Sequence, residues 1–120
     1  MAELSELIAK LEGLSGPSSD VEKAILRHFG FTWRGMAYRN NAGEMWKGPT
    51  FFTHSIDAAV ALVERKLPDA VWDVSTTGRR PGATVSSYER KVREGAYAST
   101  PAVALVLALL RALSSEQGNE

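Results

Sequence analysis

The densest group of side chains with ligand-binding chemistry is basic and lies in the second half of the chain. Residues 79–93 carry five positive charges and one negative charge, Glu89, which gives +4 in a chain whose formal net charge is zero. Guanidinium groups bind phosphate oxygens in a bidentate geometry. The predicted ligand-binding residues are the five cations of this segment, namely Arg79, Arg80, Arg90, Lys91 and Arg93.

These cations form two groups at opposite ends of a predicted strand over residues 83–88. Arg79 and Arg80 lie in a turn rich in glycine and proline before the strand, and the other three cations follow it. The rise of a strand places the two groups about 15–20 Å apart. They form one site only if the following loop folds back or a second subunit contributes. The alternative interpretation is a solvated basic loop.

No residue pattern predicts catalysis or a metal site. The chain has no cysteine and two histidines, His28 and His54, so thiolate chemistry, cysteine-ligated zinc and a three-histidine centre within one chain are excluded. His54, Ser55 and Asp57 fall within one helical turn, where their side chains diverge too far for a Ser–His–Asp relay. We therefore predict a protein that is not an enzyme and binds no metal and no cofactor.

Three tryptophans, Trp33, Trp46 and Trp72, are predicted to pack between a sheet and helices. A tryptophan at a strand end would also be able to stack on a nucleic-acid base or an adenine ring. The neutral net charge and the lack of a basic helix face argue against a duplex nucleic acid as partner.

The elements that position these residues begin with three amphipathic helices. Ser19 and Glu22 fit a capping box at the start of the second helix, and Thr53 or Ser55 is the predicted cap of the third. Apolar residues at three- and four-residue intervals place the three helices over residues 3–14, 19–29 and 56–67.

A fourth helix is predicted to start at Thr100 and Pro101. It is apolar on nearly every side from Val103 to Leu113, so other elements must cover more than one of its faces. Two hairpins complete the pattern. Their predicted strands are Thr32–Arg39 with Glu44–Lys47 and residues 70–75 with 83–88, and residues 89–98 are predicted to form a loop.

This order predicts an α+β fold, a layered helix–sheet–helix sandwich with about four mainly antiparallel strands and four helices. We divide the chain into an N-terminal helix and linker (1–17), a single sandwich domain (18–113) and a frayed tail (114–120). The chain has 120 residues, of which 44% are hydrophobic and 23% charged, the balance of a soluble globular domain. The acidic start and the lack of an apolar stretch of about 20 residues predict a cytoplasmic protein that does not contact membranes.

Two sequence blocks flank the strand around Trp72 and carry a family resemblance. They are THSIDAAVALV at residues 53–63 and ASTPAVAL at residues 98–105. Together they resemble the small prophage-encoded family named for its phage ABA sandwich domain. The resemblance implies a three-layer fold and a phage or prophage gene, and it supplies no catalytic residues. Helix capping and close packing of small residues also explain both blocks.

The predicted function is that of a non-enzymatic phage or prophage accessory protein. It would act by binding a host or phage protein or by self-association as a homo-oligomer. The alternative is a protein that binds or sequesters an anionic, nucleotide-like small molecule through the basic segment. A hydrolase is the third interpretation and has the least support, because the chain lacks a recognisable nucleophile motif.

Overall fold

The computed structural model describes residues 2–76 and 80–118, and this part of the chain forms four helices and five strands. The helices are α1 (Ala2–Glu12), α2 (Ser19–His28), α3 (Ile56–Lys66) and α4 (Pro101–Gly118). The strands are β1 (Thr32–Arg34), β2 (Ala37–Arg39), β3 (Val71–Ser75), β4 (Gly82–Ser87) and β5 (Val92–Tyr97). The predicted α+β fold, in which four helices are layered with antiparallel strands, is confirmed, with one strand more than expected.

Helix α4 is the centre of the hydrophobic core. Every residue from Ala102 to Leu110 is buried, and the helix packs against α1, α3 and all three strands β3, β4 and β5. Thr100 caps it as predicted, because its hydroxyl accepts the N–H of Val103 at 3.1 Å. The helix continues to Gly118, beyond the predicted end at Leu113.

The larger sheet has the order β3–β4–β5 and is antiparallel throughout. Alternate residues of a strand point to opposite faces, so each register row belongs to one face. The inner face contributes Trp72, Val74, Ala83, Val85 and Ala96 to the core around α4. The opposite face, hereafter the outer sheet face, consists of Val71, Asp73, Ser75, Gly82, Thr84, Ser86, Arg93, Gly95 and Tyr97.

Strand β5 occupies the segment for which the sequence predicts a loop, residues 89–98. Val92 and Ala96 are buried, and Arg93 and Gly95 lie on the outer sheet face. Glu94, between Arg93 and Gly95, occupies the same row as the inner-face residue Val85 and interrupts the apolar alternation in the sequence. Burial of one face is sufficient to hold a strand in a sheet of which the other face is exposed. The loop prediction is therefore wrong.

In the small sheet, which consists of β1 and β2, the chain reverses direction between Arg34 and Ala37, earlier than predicted. The turn consists of Gly35 and Met36. Gly35 has a φ of 65°, which glycine adopts without strain. The predicted turn at residues 40–43 also forms, but a single bridge between Arg39 and Met45 follows it in place of a strand. The predicted boundaries of this hairpin are wrong because the segment contains two turns.

The caps of α2 and α3 correct one prediction and confirm another. Ser18, and not Ser19, caps α2 by accepting a backbone N–H from the first turn. The carboxylate of Glu22 accepts hydrogen bonds from Thr53 and not from the backbone N–H of the cap residue, so the predicted capping box does not form. Ser55 caps α3, as one of the two predicted alternatives.

The three tryptophans lie in different environments. Trp46 is buried and contacts other aromatic rings edge-on, and Trp72 is half-buried on the inner face of the larger sheet. Trp33 has 62% of its surface exposed, because it belongs to β1, all of whose residues are exposed. Core packing is confirmed for Trp46 and is wrong for Trp33.

Helix α1 docks on the rest of the chain through three buried leucines, Leu4, Leu7 and Leu11. At its end Glu12 accepts a 2.6 Å bond from the guanidinium of Arg111. The same guanidinium donates to the carbonyl oxygen of Gly95 at 2.9 Å. One side chain of α4 therefore connects α1 to β5.

We expect Leu107→Asp to unfold the domain, because it places an unpaired charge at a fully buried position of α4. The loss should be about 4 kcal/mol or more, which is comparable with the stability of many small domains. Circular dichroism and thermal melting measure it. Ala9→Asp, at an exposed position of α1, is the control. An unchanged melting temperature for Leu107→Asp would show that this face of α4 is not in the core.

Deletion of residues 1–15 should lower the melting temperature or change the oligomer size, because it uncovers the apolar surface of α4 against which α1 packs. Burial of each leucine contributes about 1.5–3 kcal/mol. Calorimetry and light scattering report the two effects. The control Glu12→Ala removes only a surface ion pair and should change stability by less than about 1 kcal/mol. A deletion variant with unchanged stability and size would contradict the docking of α1.

Candidate functional site

The structure brings three of the five predicted ligand-binding cations together at the turn between β4 and β5. Arg90 and Lys91 belong to this turn, and Arg93 is the second residue of β5. Lys91 has a φ of 56°, a left-handed conformation that non-glycine residues adopt rarely. The turn and the adjoining end of the outer sheet face border a groove of about 730 Å³, hereafter the turn groove. Its lining includes Asp69, Val71, Tyr88, Lys91 and Arg93.

The hydroxyl of Ser87, the last residue of β4, stabilises this turn by two hydrogen bonds. Ser87 donates to the carboxylate of Asp69 at 2.6 Å and accepts the N–H of Arg90 at 3.2 Å. The bond from Ser87 holds the pKa of Asp69 below its usual range, against the opposing effect of desolvation. Stability from this bond is therefore present above the usual carboxyl pKa and is lost as the pH falls through the lowered pKa.

The cations of the turn groove differ from its carboxylate in having no internal partner. Asp69 is bonded to Ser87, whereas the side chains of Lys91 and Arg93 have no hydrogen bond or ion pair with the described residues. Both cations are exposed, and so are Val71, at 72%, and Tyr88, at 96%. The groove thus combines two available positive charges with exposed apolar surface.

Arg80 lies away from this group. It precedes β4, and the whole length of that strand separates it from the turn that contains Arg90 and Lys91. Arg79 lies outside the described residues. The part of the chain that the structure describes therefore does not unite the two predicted groups into one site.

The other end of the outer sheet face borders a separate groove of about 430 Å³. Asp73, Thr84, Tyr97 and Arg111 are among its lining residues. The ring of Tyr97 lies over Gly82, where an added Cβ would be only 3.0 Å from the ring. Tyr97 is nevertheless 70% exposed, so this face presents an aromatic side chain to solvent.

A polar cluster that the sequence does not predict joins α2 to the segment before α3. One carboxylate oxygen of Glu22 accepts the N–H and the hydroxyl of Thr53, at 2.8 and 2.7 Å. The same oxygen lies 2.7 Å from Nδ1 of His54. Glu22 and Thr53 are buried, and they are 31 residues apart in sequence. No local spacing rule could have identified this pair.

This cluster resembles the carboxylate–histidine half of a catalytic relay, but its hydroxyl is oriented differently. The Thr53 hydroxyl donates to Glu22, whereas a nucleophile would donate to the histidine. Thr53 also accepts the N–H of Ser18 at 2.8 Å, which ties it to the start of α2. The cluster therefore acts as a connection between two elements, and we assign it no chemical step.

The described residues meet neither the requirements of a metal-binding cluster of side chains nor those of a membrane-spanning helix. No group of three or more histidine, aspartate or glutamate side chains is arranged there to hold a metal ion. No helix within residues 2–76 and 80–118 has the length and apolar character needed to cross a membrane.

Comparison with family models, curated proteins and solved structures finds no match to this chain. The resemblance to the phage ABA sandwich family therefore stays a prediction.

Replacing Glu22 with alanine should lower the free energy of unfolding by about 3 kcal/mol, because the buried N–H and hydroxyl of Thr53 lose their acceptor. Chemical denaturation measures the change. Glu64→Ala removes an exposed carboxylate from α3 and should stay within about 0.5 kcal/mol of the parent protein. Equal stabilities of the two variants would contradict the role of the cluster as a connection.

Proposed function

We propose that this chain is a non-enzymatic accessory protein, encoded by a phage or prophage and acting in the cytoplasm, that binds a short acidic segment of a partner protein in the turn groove. The phage origin rests on the two sequence blocks described above. The binding function rests on one observation: Lys91 and Arg93 lie, without partners among the described residues, beside the exposed side chains of Val71 and Tyr88.

The side chains of the groove favour a peptide over a phosphate. Asp69 stays ionised over the physiological range, since its pKa is lowered, and its charge opposes a doubly charged phosphate placed beside it. A peptide offers carboxylates to Lys91 and Arg93 and backbone N–H groups to Asp69. It also offers apolar side chains to Val71 and Tyr88.

The size of the outer sheet face favours a segment over a second copy of the chain. Three strands of at most six residues form a face of roughly 14 by 20 Å, calculated from strand spacing and rise. This face presents nine strand residues, whereas a stable protein interface uses about 20–30 residues on each partner. A dimer would need additional surface, but a short segment would not.

A selection from a random peptide library on the immobilised protein tests this function. We expect the enriched peptides to combine Asp or Glu with an apolar or aromatic residue. The double variant Lys91→Glu/Arg93→Glu should bind them about tenfold more weakly, with an affinity that depends on salt. Lys47→Glu, which reverses an exposed charge outside the groove, should bind them like the parent protein.

Two results would contradict this proposal. One is a set of enriched peptides without acidic residues, or with an affinity that the double variant does not change. The other is a dimer in sedimentation equilibrium that Val71→Lys converts to a monomer, because this would assign the same face to a second copy of the chain.

A further inference from the structure

Away from the larger sheet, another groove lies between α2 and the small sheet, and it shares no lining residue with the turn groove. Its volume is about 450 Å³, within the usual range for small-molecule sites. Lys23 and Arg27 line it from α2, and Trp33 and Tyr38 line it from the small sheet. We refer to it as the aromatic groove.

The aromatic groove has one exposed ring supported by another. Trp33 and Tyr38 are directly opposite in the register of β1 and β2, and their rings meet edge to face with centroids 5.1 Å apart. This contact limits the orientations open to Trp33, although 62% of its surface is exposed. A ring held in this way is able to stack on a planar aromatic ligand with little loss of side-chain entropy.

The floor of the groove is fixed by packing beneath it. Phe31, a lining residue, is buried and meets the ring of Trp46 edge-on at 5.2 Å. The guanidinium of Arg65, on α3, lies 4.5 Å from the centroid of the Trp46 ring and 5.4 Å from that of Phe31. The buried aromatic layer therefore holds the start of β1 in place relative to the helices.

The opposite wall carries two positive charges. Lys23 and Arg27 are four residues apart on α2, so they share one side of the helix. Both are exposed, and neither has an ion-pair partner among the residues that the structure describes. Attraction to the helix dipole explains a cation in the last turn, such as Arg27, but does not explain Lys23 in the middle of the helix.

We propose that the aromatic groove binds a mononucleotide, with the base stacked on Trp33 and the phosphate held by Lys23 and Arg27. A ligand that fits this groove combines a flat aromatic ring, for Trp33, with an anionic group, for Lys23 and Arg27. A nucleotide has both. Two cations match the charge of one phosphate monoester. The site differs from the basic segment at residues 79–93, and the proposal is independent of peptide binding in the turn groove.

Titration with AMP and UMP, followed by tryptophan fluorescence and by calorimetry, tests the proposal. Both nucleotides should quench Trp33. Adenosine lacks the phosphate and inorganic phosphate lacks the base, so each should bind at least about tenfold more weakly than AMP. Trp33→Ala and the double variant Lys23→Gln/Arg27→Gln should each weaken AMP binding in calorimetry by about tenfold or more.

Two control variants separate this site from other cations of the chain. Lys47→Gln and the double variant Lys91→Glu/Arg93→Glu should bind AMP like the parent protein, because none of these residues lines the aromatic groove. All the substituted side chains are exposed, so circular dichroism should show folded variants.

Three results would overturn the proposal. The first is that neither nucleotide, at about 1 mM, quenches tryptophan fluorescence or releases heat on binding, because this would mean a Kd weaker than about 1 mM. The second is AMP binding that the substitutions in the groove leave unchanged. The third is inorganic phosphate binding as tightly as AMP, which would show that Trp33 contributes nothing. Failure of these titrations would not affect the peptide selection, which probes other residues.

Discussion

Burial of α4 on all sides is the constraint on which the rest of the structure depends. Burial of a leucine side chain stabilises a protein by about 1.5–3 kcal/mol relative to its exposure to water. An apolar helix surrounded by water would lack this stabilisation at every position. The inner face of the larger sheet, α1 and α3 together provide the cover for this helix. Because these apolar surfaces are used against α4, the outer sheet face and β1 remain outside the core.

Local sequence signals identify the helices well and the strands less well. The helices follow from apolar spacing and from caps such as Thr100, because both signals arise within a few residues. β5 escapes detection because its outer face carries charge and glycine and because Glu94 interrupts the apolar alternation of its inner face. Its pairing with β4, for example of Gly95 with Thr84, shows that the segment is a strand. The early turn at Gly35 is hidden by the stronger turn composition of residues 40–43.

In the candidate sites too, the sequence identifies some residues directly, whereas their neighbours are known only from the fold. Excess positive charge identifies Lys91 and Arg93 from the sequence alone, but not their neighbours Asp69 and Val71. Val71 reaches the groove through the pairing of β3 with β4, and Asp69 lies two residues before it. Trp33 is predicted as a core residue because residue type alone does not distinguish a buried tryptophan from an exposed one. That distinction depends on which elements pack against β1.

The segment between α2 and α3 connects the core to the aromatic groove. Most of it is irregular, and a segment without regular hydrogen bonding needs other interactions to hold its shape. Two sets of contacts do so: the buried carboxylate of Glu22 holds the segment at Thr53, and the guanidinium of Arg65 covers the ring of Trp46. Both contacts come from helices, and α3, one of those two helices, itself packs on α4. The position of the exposed Trp33 thus follows from the core through a short series of contacts, made by residues that are themselves buried or belong to the helices.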